Sequence, residues 1–242
     1  MSMELKKVVL QGFKSIEILE NFHPRKLNVM IGANGAGKSN FVDFFRMLRA
    51  LADGAFQKFV NDQGGGDGLF FNGPQFTREI KARVEFGENV YEFDLAPTAN
   101  SAIQITEERV QYTGGHGYGA LKTIGSGQVE SRLKAKKDDP AQSPWGTGRG
   151  VAGHVYDAVS NWTVYHFHDT SKFAPMRREQ SIRDYERLRH DASNIAGYLS
   201  HLQDKRKSTY GLIRDTVRLI APFFDDFLFR PQERGAEELI RL

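Results

Sequence analysis

The chain has no cysteine among its 242 residues, which excludes disulfide bonds, thiol catalysis and cysteine-bound metals. It also lacks an apolar run long enough to span a membrane. Neither sign of charge is in large excess, since 33 basic and 30 acidic residues leave a net charge of +3. The first residues resemble neither a signal peptide nor a transit peptide. These absences predict a cytoplasmic protein with no membrane partner, and its hydrophobic fraction of 40% is sufficient for a buried core.

The clearest pattern is a strand, a glycine-rich loop and a helix in succession. The apolar run 26–31, between Pro24 and Gly32, predicts a buried strand. From Lys38 onward the apolar residues recur at helical spacing, and Gly54 is a stop signal for that helix. The residues with this spacing are Phe41, Phe44, Phe45, Leu48 and Leu51.

The loop between strand and helix fits the phosphate-binding pattern G-x-x-x-x-G-K-[ST] at every fixed position. Its residues are Gly32, Ala33, Asn34, Gly35, Ala36, Gly37, Lys38 and Ser39. Glycines let the backbone N–H groups turn toward phosphate oxygens, and the N-terminus of the helix adds partial positive charge. We therefore predict that the loop binds ATP, with Lys38 as the catalytic residue at the β- and γ-phosphates and Ser39 as a Mg²⁺ ligand. The alternative, a glycine-rich turn followed by an incidental Lys-Ser pair, does not account for the flanking strand and helix.

The segments after this helix predict an antiparallel β subdomain. Alternation at period two favours a hairpin with further strands after it. The predicted strands cover residues 79–86, 90–95, 103–112 and 121–133. Residues 62–73, which include three consecutive glycines, are predicted to form a flexible loop.

The second half of the chain is predicted to be mainly helical. A strand is expected over residues 162–168, and helices over 181–202 and 205–220, the last ended by Pro222. We divide the chain into a P-loop core with its β subdomain at 1–133, a linker or mobile loop at 134–150, and a core strand with a helical lobe at 151–242.

Two N-terminal segments together resemble the start of ABC-type ATPase heads, in particular those of SMC, RecF and OLD-like proteins. They are Gly12-Phe13-Lys14-Ser15 and the phosphate loop with Asn40 and Phe41 after it. Residues 165–171 and 188–199 are similar to segments of prokaryotic ATPases that accompany nucleases in phage defence. The resemblance covers most of the chain, and the phosphate loop is its specific part.

This resemblance implies an α/β fold of the P-loop NTPase class, namely the N-terminal lobe of an ABC-type ATPase with an antiparallel β subdomain and a helical segment. It also implies that the complete head hydrolyses ATP, forms a homodimer or larger homo-oligomer around it, and gates an effector such as a nuclease or toxin in DNA repair or phage defence.

Further site residues follow from the resemblance alone. Asn40 joins the nucleotide site, and Lys14 and Ser15 become secondary contacts to phosphate or ribose; the alternative for Lys14 is a solvated lysine in a turn at the end of a strand. The Q-loop of these heads corresponds to residues 166–171, which contain no glutamine. His168 or Asp169 could replace it, with Asp169 as the candidate Mg²⁺ ligand, although a structural role such as helix capping is favoured.

Three motifs of such heads are missing: the signature motif, an Asp-Glu Walker B strand and a switch histidine. Residues 124–128 resemble a signature motif only superficially, and we interpret them as a turn between strands. Residues 223–226 end in two aspartates but have too short an apolar run before them for a buried parallel strand. We expect the chain to be the N-terminal half of a head and to bind ATP without turning it over. The remainder of the head would begin just beyond Leu242 or be supplied by another chain, and the sequence does not choose between these.

Two other functions remain as alternatives. A scaffold could bind ATP to hold an assembly together without hydrolysing it. A kinase or GTPase is disfavoured because the sequence has no guanine-reading N-K-x-D motif. DNA contact is a possible role for the basic clusters 132–137, 177–178 and 205–207, although such runs are more often solvated faces.

Overall fold

The computed structural model describes residues 4–114, 119–140, 149–165, 167, 171, 173–234 and 237–241. The chain forms two compact units, Met1–Trp162 and Thr163–Leu242. The first unit continues past the border predicted at residue 133, because the helices that follow contribute to its core. Residues 141–148 of the predicted linker lie outside the described residues, so the mobility of the linker stays a prediction.

A six-stranded, wholly antiparallel sheet forms the first unit, in the order β2-β1-β3-β4-β5-β6. Its strands are β1 Leu5–Phe13, β2 Ile16–Phe22, β3 Ile80–Phe86, β4 Asn89–Pro97, β5 Ile103–Tyr112 and β6 Lys122–Gln128. In β3 every second side chain is buried, which is the alternation that the sequence shows. The mixed α/β class with an antiparallel β subdomain is therefore confirmed.

One face of the sheet is covered by helices. They are α1 Lys38–Asp53, α2 Phe56–Asp62, α3 Leu133–Lys136 and α4 Val151–Ser160. The predicted stripe on α1 is buried at Phe44, Leu48 and Leu51, and the ring of Phe44 meets that of Phe13 on β1 edge to face at 6.0 Å. Each such side chain contributes about 1.5–3 kcal/mol on burial. The helix ends at Gly54, in the left-handed conformation (φ 70°), as the sequence predicts.

The prediction of a buried strand over residues 26–31 is wrong. The run forms no strand, and Leu27 and Ile31 are 80% and 93% exposed. A central parallel strand needs hydrogen-bonded neighbours on both sides and apolar cover on both faces. Every described ladder of the first unit is antiparallel, and none of its strands pairs with this run.

The glycine-rich segment 62–73, predicted to be a flexible loop, contains a short 3₁₀ helix at Asp67–Leu69 and is tied to the rest of the unit. Gly66 donates its N–H to the carbonyl of Ser101 over 2.6 Å, and Leu69 and Phe70 are buried in the core. Helix α2, just before it, receives a cap from the carboxylate of Glu130, which accepts the N–H groups of its first residues. This segment therefore carries core side chains in addition to loop residues.

Residues 124–128, interpreted as a turn, are part of the edge strand β6 instead. The strand leads to a buried polar centre on Glu108, which is 0% exposed. Its carboxylate accepts hydrogen bonds from the hydroxyls of Tyr91 and Ser131, the amide of Gln128 and the backbone N–H of Arg132. The donors compensate for the burial of the carboxylate and join β4 and β5 to the start of α3.

The second unit contains α5 Ile195–Lys205, α6 Lys207–Ile220 and a small sheet in the order β7-β9-β8. Its strands are β7 Gln180–Ser181, β8 Arg230–Arg234 and β9 Glu237–Arg241. The helix predicted for 205–220 is confirmed from Lys207 onward. The strand predicted for 162–168 is absent at residues 162–165, and His166 and His168 are outside the described residues.

The helix predicted from residue 181 begins only at Ile195, and two features explain the delay. Ala192 has a positive φ of 57°, which no helix accommodates. The buried side chain of Asn194 donates to the carbonyls of Asp184 and Arg187 and accepts the N–H of Arg189. Side-chain bonds to backbone groups of this kind stabilise turns at the expense of helix.

The two aspartates that resembled a Walker B end lie outside any strand. Asp225 is 98% exposed and pairs with Arg218, while Asp226 accepts a hydrogen bond from the hydroxyl of Tyr210. Burial, assisted by Asp226, raises the pKa of Tyr210 to about 12, and the hydrogen bond from Tyr210 lowers the pKa of Asp226. The contact between Tyr210 and Asp226 stabilises the packing of α6. Both aspartates thus have structural partners, in agreement with our rejection of Asp225 and Asp226 as a catalytic acid pair.

Opposite effects are expected for two glycine-to-alanine substitutions. Gly54→Ala places a Cβ on a left-handed residue, so we expect a loss of about 1 kcal/mol in the free energy of unfolding of the first unit. Gly211→Ala lies inside α6, where a Cβ would meet open space, so the second unit should gain about 0.5–1 kcal/mol. Urea denaturation followed by far-ultraviolet circular dichroism measures both; a neutral Gly54→Ala would contradict the left-handed helix end.

Candidate functional site

The phosphate loop lies exposed at the N-terminus of α1, and its backbone is shaped by two left-handed glycines. Gly35 and Gly37 have φ values of 83° and 86°. The loop is closed by a hydrogen bond from the N–H of Ala36 to the carbonyl of Ala33 at 3.2 Å. No side chain caps the helix, and its first turn contains no acidic residue. The first N–H groups of α1 are therefore left available to an anion, and no nearby carboxylate of that turn opposes one.

Lys38 folds back over this loop. Its ammonium group donates to the carbonyl of Gly32 at 2.7 Å and to that of Ala33 at 2.8 Å. Both acceptors are neutral, so a phosphate oxygen would offer the ammonium a stronger, charge-assisted partner. Ser39 is exposed beside it in the first turn of α1. The structure thus brings the lysine, the serine hydroxyl and the helix N-terminus together at one place.

The turn between β1 and β2 touches the phosphate loop through Ser15. The amide of Asn40 donates to the hydroxyl of Ser15 at 2.8 Å. A Cβ built on Gly37 would lie 2.5 Å from that same hydroxyl oxygen, so a side chain there would displace the hydroxyl, and the positive φ of Gly37 favours glycine as well. Ser15 therefore lies against both Gly37 and Asn40, and all three residues were predicted for the site.

Lys14, the third residue of the early motif, is 14% exposed in its side chain, which rules out the interpretation as a solvated lysine. Its ammonium lies 2.6 Å from a carboxylate oxygen of Asp43 and 2.6 Å from the amide oxygen of Gln63. Sequence reasoning missed both partners. The only available signal was that Asp43 follows Asn40 by three residues, which places the two on one side of α1.

An apolar cavity of about 450 Å³ opens beside the loop. Ser15, Gly37 and Lys38 form its polar border. The apolar residues that line it include Ile16, Leu19, Phe22, Val29, Met30 and Phe41. A concave apolar surface next to convergent polar groups is the usual form of a small-molecule site.

The structure does not test the metal ligand predicted after the phosphate loop. Asp169, the candidate Mg²⁺ ligand, and His168 lie outside the described residues. Within them, no group of three or more histidines and acidic residues could hold a metal ion.

The described helices are each too short or too polar to cross a bilayer.

Comparison with known proteins gives a family match and a match to one curated protein. Residues 27–102 match a family described as "AAA domain, putative AbiEii toxin, Type IV TA system". A stretch of 49 residues is 45% identical to the structural maintenance of chromosomes protein 3 of Saccharomyces cerevisiae. That stretch is 19% of this chain and only 4% of the yeast protein. No solved structure matches.

Two glycines of the phosphate loop should differ in their tolerance of alanine. Both have a positive φ, which costs about 1 kcal/mol or more for a side chain. Only Gly37→Ala also displaces the Ser15 hydroxyl from Asn40, whereas nothing lies within 4 Å of a Cβ at Gly35. We expect Gly37→Ala to lower the free energy of unfolding by about 1 kcal/mol more than Gly35→Ala.

Thermal and urea unfolding of both variants measure this difference, and the background Ser15→Ala is the control. Removal of the hydroxyl removes the collision, so the two alanine substitutions should then have similar effects. A difference that persists in the Ser15→Ala background would contradict the contact between Ser15 and Gly37 as its cause.

Proposed function

We propose that this chain, whose phosphate loop and following strands are the N-terminal part of an SMC- or RecF-like ATPase head, binds ATP with Mg²⁺. The observation that carries the proposal is the convergence of Lys38, Ser39 and the uncapped N-terminus of α1 on the loop of residues 32–39. The AAA domain match includes this loop. The apolar cavity beside it offers a place for the base of the nucleotide.

Each group of the loop has a defined task in this proposal. The loop and helix N–H groups bind phosphate oxygens, and Lys38 exchanges the carbonyls of Gly32 and Ala33 for the β- and γ-phosphates. The exposed hydroxyl of Ser39 fits an oxygen-preferring cation beside the phosphates. Mg²⁺, when bound, neutralises phosphate charge and orients the phosphates.

In this proposal hydrolysis needs a Walker B strand in addition, because the sequence shows no Asp-Glu pair at the end of an apolar run. A scaffold that binds ATP without hydrolysing it is the second candidate function. It is favoured by the engagement of Asp225 and Asp226 in contacts within α6 and its following turn.

The proposal also includes partners. The matched family's printed description names a toxin, and the yeast relative's name refers to chromosome maintenance. From the resemblance of residues 12–15 and of the phosphate loop to SMC, RecF and OLD-like heads, we propose an effector such as a nuclease or toxin and a role in phage defence or DNA repair in the cytoplasm. The same resemblance is the basis for proposing a homodimer or larger homo-oligomer. Direct DNA contact by residues 132–137 is not part of this proposal, because Lys136 pairs with the carboxylate of Asp139 and Lys134 donates to the backbone carbonyl of Asp53.

Loss of Lys38 from the phosphate loop should weaken the binding of nucleotide. Lys38→Ala removes charged hydrogen bonds worth about 1.5–3 kcal/mol each, so the dissociation constant for ATP with Mg²⁺ should rise at least about tenfold. Isothermal titration calorimetry measures it. Lys58→Ala is the matched control, because that lysine is exposed on α2 and pairs only with Asp62 in its own helix. Wild-type affinity in Lys38→Ala would refute the site.

Residues 1–242 by themselves should not turn over ATP. The loop supplies positioning and charge neutralisation, but transfer to water also needs that water in line, and the missing groups contribute several orders of magnitude in rate. A phosphate-release assay, run beside Lys38→Ala, measures turnover. Hydrolysis at an ordinary enzyme rate that Lys38→Ala abolishes would show that the chain has a catalytic acid, and Asp169 and Asp225 would be the first to substitute.

A further inference from the structure

The ammonium group of Lys14 is held in place by two side chains. Asp43 on α1 and Gln63 at the end of α2 each accept a hydrogen bond of 2.6 Å from it. Its backbone is held as well, since the N–H of Lys14 donates to the carbonyl of Leu69 at 2.8 Å and the residue has a φ of 50°. A non-glycine residue in this conformation needs such support from its surroundings.

Both carboxylate oxygens of Asp43 are hydrogen-bonded as well. Its side chain is 13% exposed, and its second oxygen accepts a hydrogen bond of 3.1 Å from Arg46. An ion pair removed this far from water persists when both charges are hydrogen-bonded, and loss of one partner leaves the other poorly solvated. Lys14 and Asp43 therefore depend on each other, and we call them the Lys14–Asp43 pair.

The Lys14–Asp43 pair lies next to the contact between the β1–β2 turn and the phosphate loop. Lys14 precedes Ser15 in the turn, and Asp43 follows Asn40 by three residues on α1. Two parallel links thus join the turn to the helix, one from Lys14 to Asp43 and one from Asn40 to Ser15. Only the second reaches the loop, at Gly37.

We propose that Lys14 and Asp43 are positioning residues, which fix the turn on α1 so that Ser15 and Asn40 hold the phosphate loop in its binding conformation. The proposal rests on the proposed function, because it assigns to the pair a role in nucleotide affinity. It differs from the expectation that Lys14 contacts the nucleotide, since an ammonium held by Asp43 and Gln63 acts through Ser15 instead.

The two roles predict opposite effects of Asp43→Asn. If the pair positions the loop, Asp43→Asn and Lys14→Met should each weaken ATP binding by about tenfold, because small displacements of a binding loop have effects of that size. The double variant should be no worse than either single one, since both remove the same link. If Lys14 were a phosphate ligand, Asp43→Asn would free its charge and leave affinity unchanged or raise it.

Calorimetry with ATP and Mg²⁺ on the 242-residue chain measures these affinities. Asp53→Asn is the matched control, because it removes an ion pair of 2.7 Å with Arg49 from the opposite end of the same helix. Its affinity for ATP should equal that of the wild type. Unchanged affinity in Asp43→Asn, additive losses in the double variant, or an equal loss in Asp53→Asn would each overturn the proposal.

Hydrogen exchange in the absence of nucleotide separates this proposal from the function on which it rests. Asp43→Asn should speed exchange in the peptide covering residues 32–41, and Asp53→Asn should not. A wild-type chain that binds no ATP would refute the proposed function, while unchanged exchange in Asp43→Asn would refute the positioning role. Should Asp43→Asn fail to fold, Gln63→Met, which removes one acceptor and no charge, should give the same pattern with a loss of about threefold.

Discussion

The burial of one side of α1 against the antiparallel sheet determines where the phosphate loop lies. The loop itself is exposed and has a single internal hydrogen bond among its described backbone groups, so it has little stability of its own. Phe44, Leu48 and Leu51 anchor the helix that carries it, at about 1.5–3 kcal/mol for each side chain. Because the helix is rigid, its uncapped N-terminus is presented at a defined place beside the turn between β1 and β2.

The polar contacts at that end of the helix are few, and each has a separate role. Asn40 reaches the turn through Ser15, and Lys38 lies over the loop carbonyls. The ion pair of Lys14 and Asp43 is set back from the loop by one turn of helix. Apolar packing therefore provides the stability of the site, while hydrogen bonds provide its geometry.

Local patterns in the sequence predicted the elements whose cause is local. The spacing of apolar residues and Gly54 together predicted α1, and alternation at period two predicted β3 to β5. The run 26–31 failed because a strand also depends on neighbours that its own residues do not specify. The helix expected from residue 181 failed because one buried asparagine, Asn194, binds the backbone of the preceding turn.

In the candidate site, too, the sequence predicted the contiguous residues and missed the contacts between distant ones. Residues 32–39 are contiguous, so a pattern search finds them, and their assembly at the start of α1 followed from the sequence alone. The partners of Lys14 are 29 and 49 residues away, and no short pattern joins residues that far apart. Contacts of this kind depend on how the helices pack, which only coordinates reveal.

The close approach of Ser15 to Gly37 makes two distant segments interdependent. A designer who grafts this phosphate loop onto another scaffold would have to transplant the turn with it, since the eight loop residues alone leave one wall of the site undefined. For the same reason, the useful unit of sequence is a split motif, with Lys14 and Ser15 in one part and Gly37 to Asp43 in the other. Libraries that vary either part should vary both together.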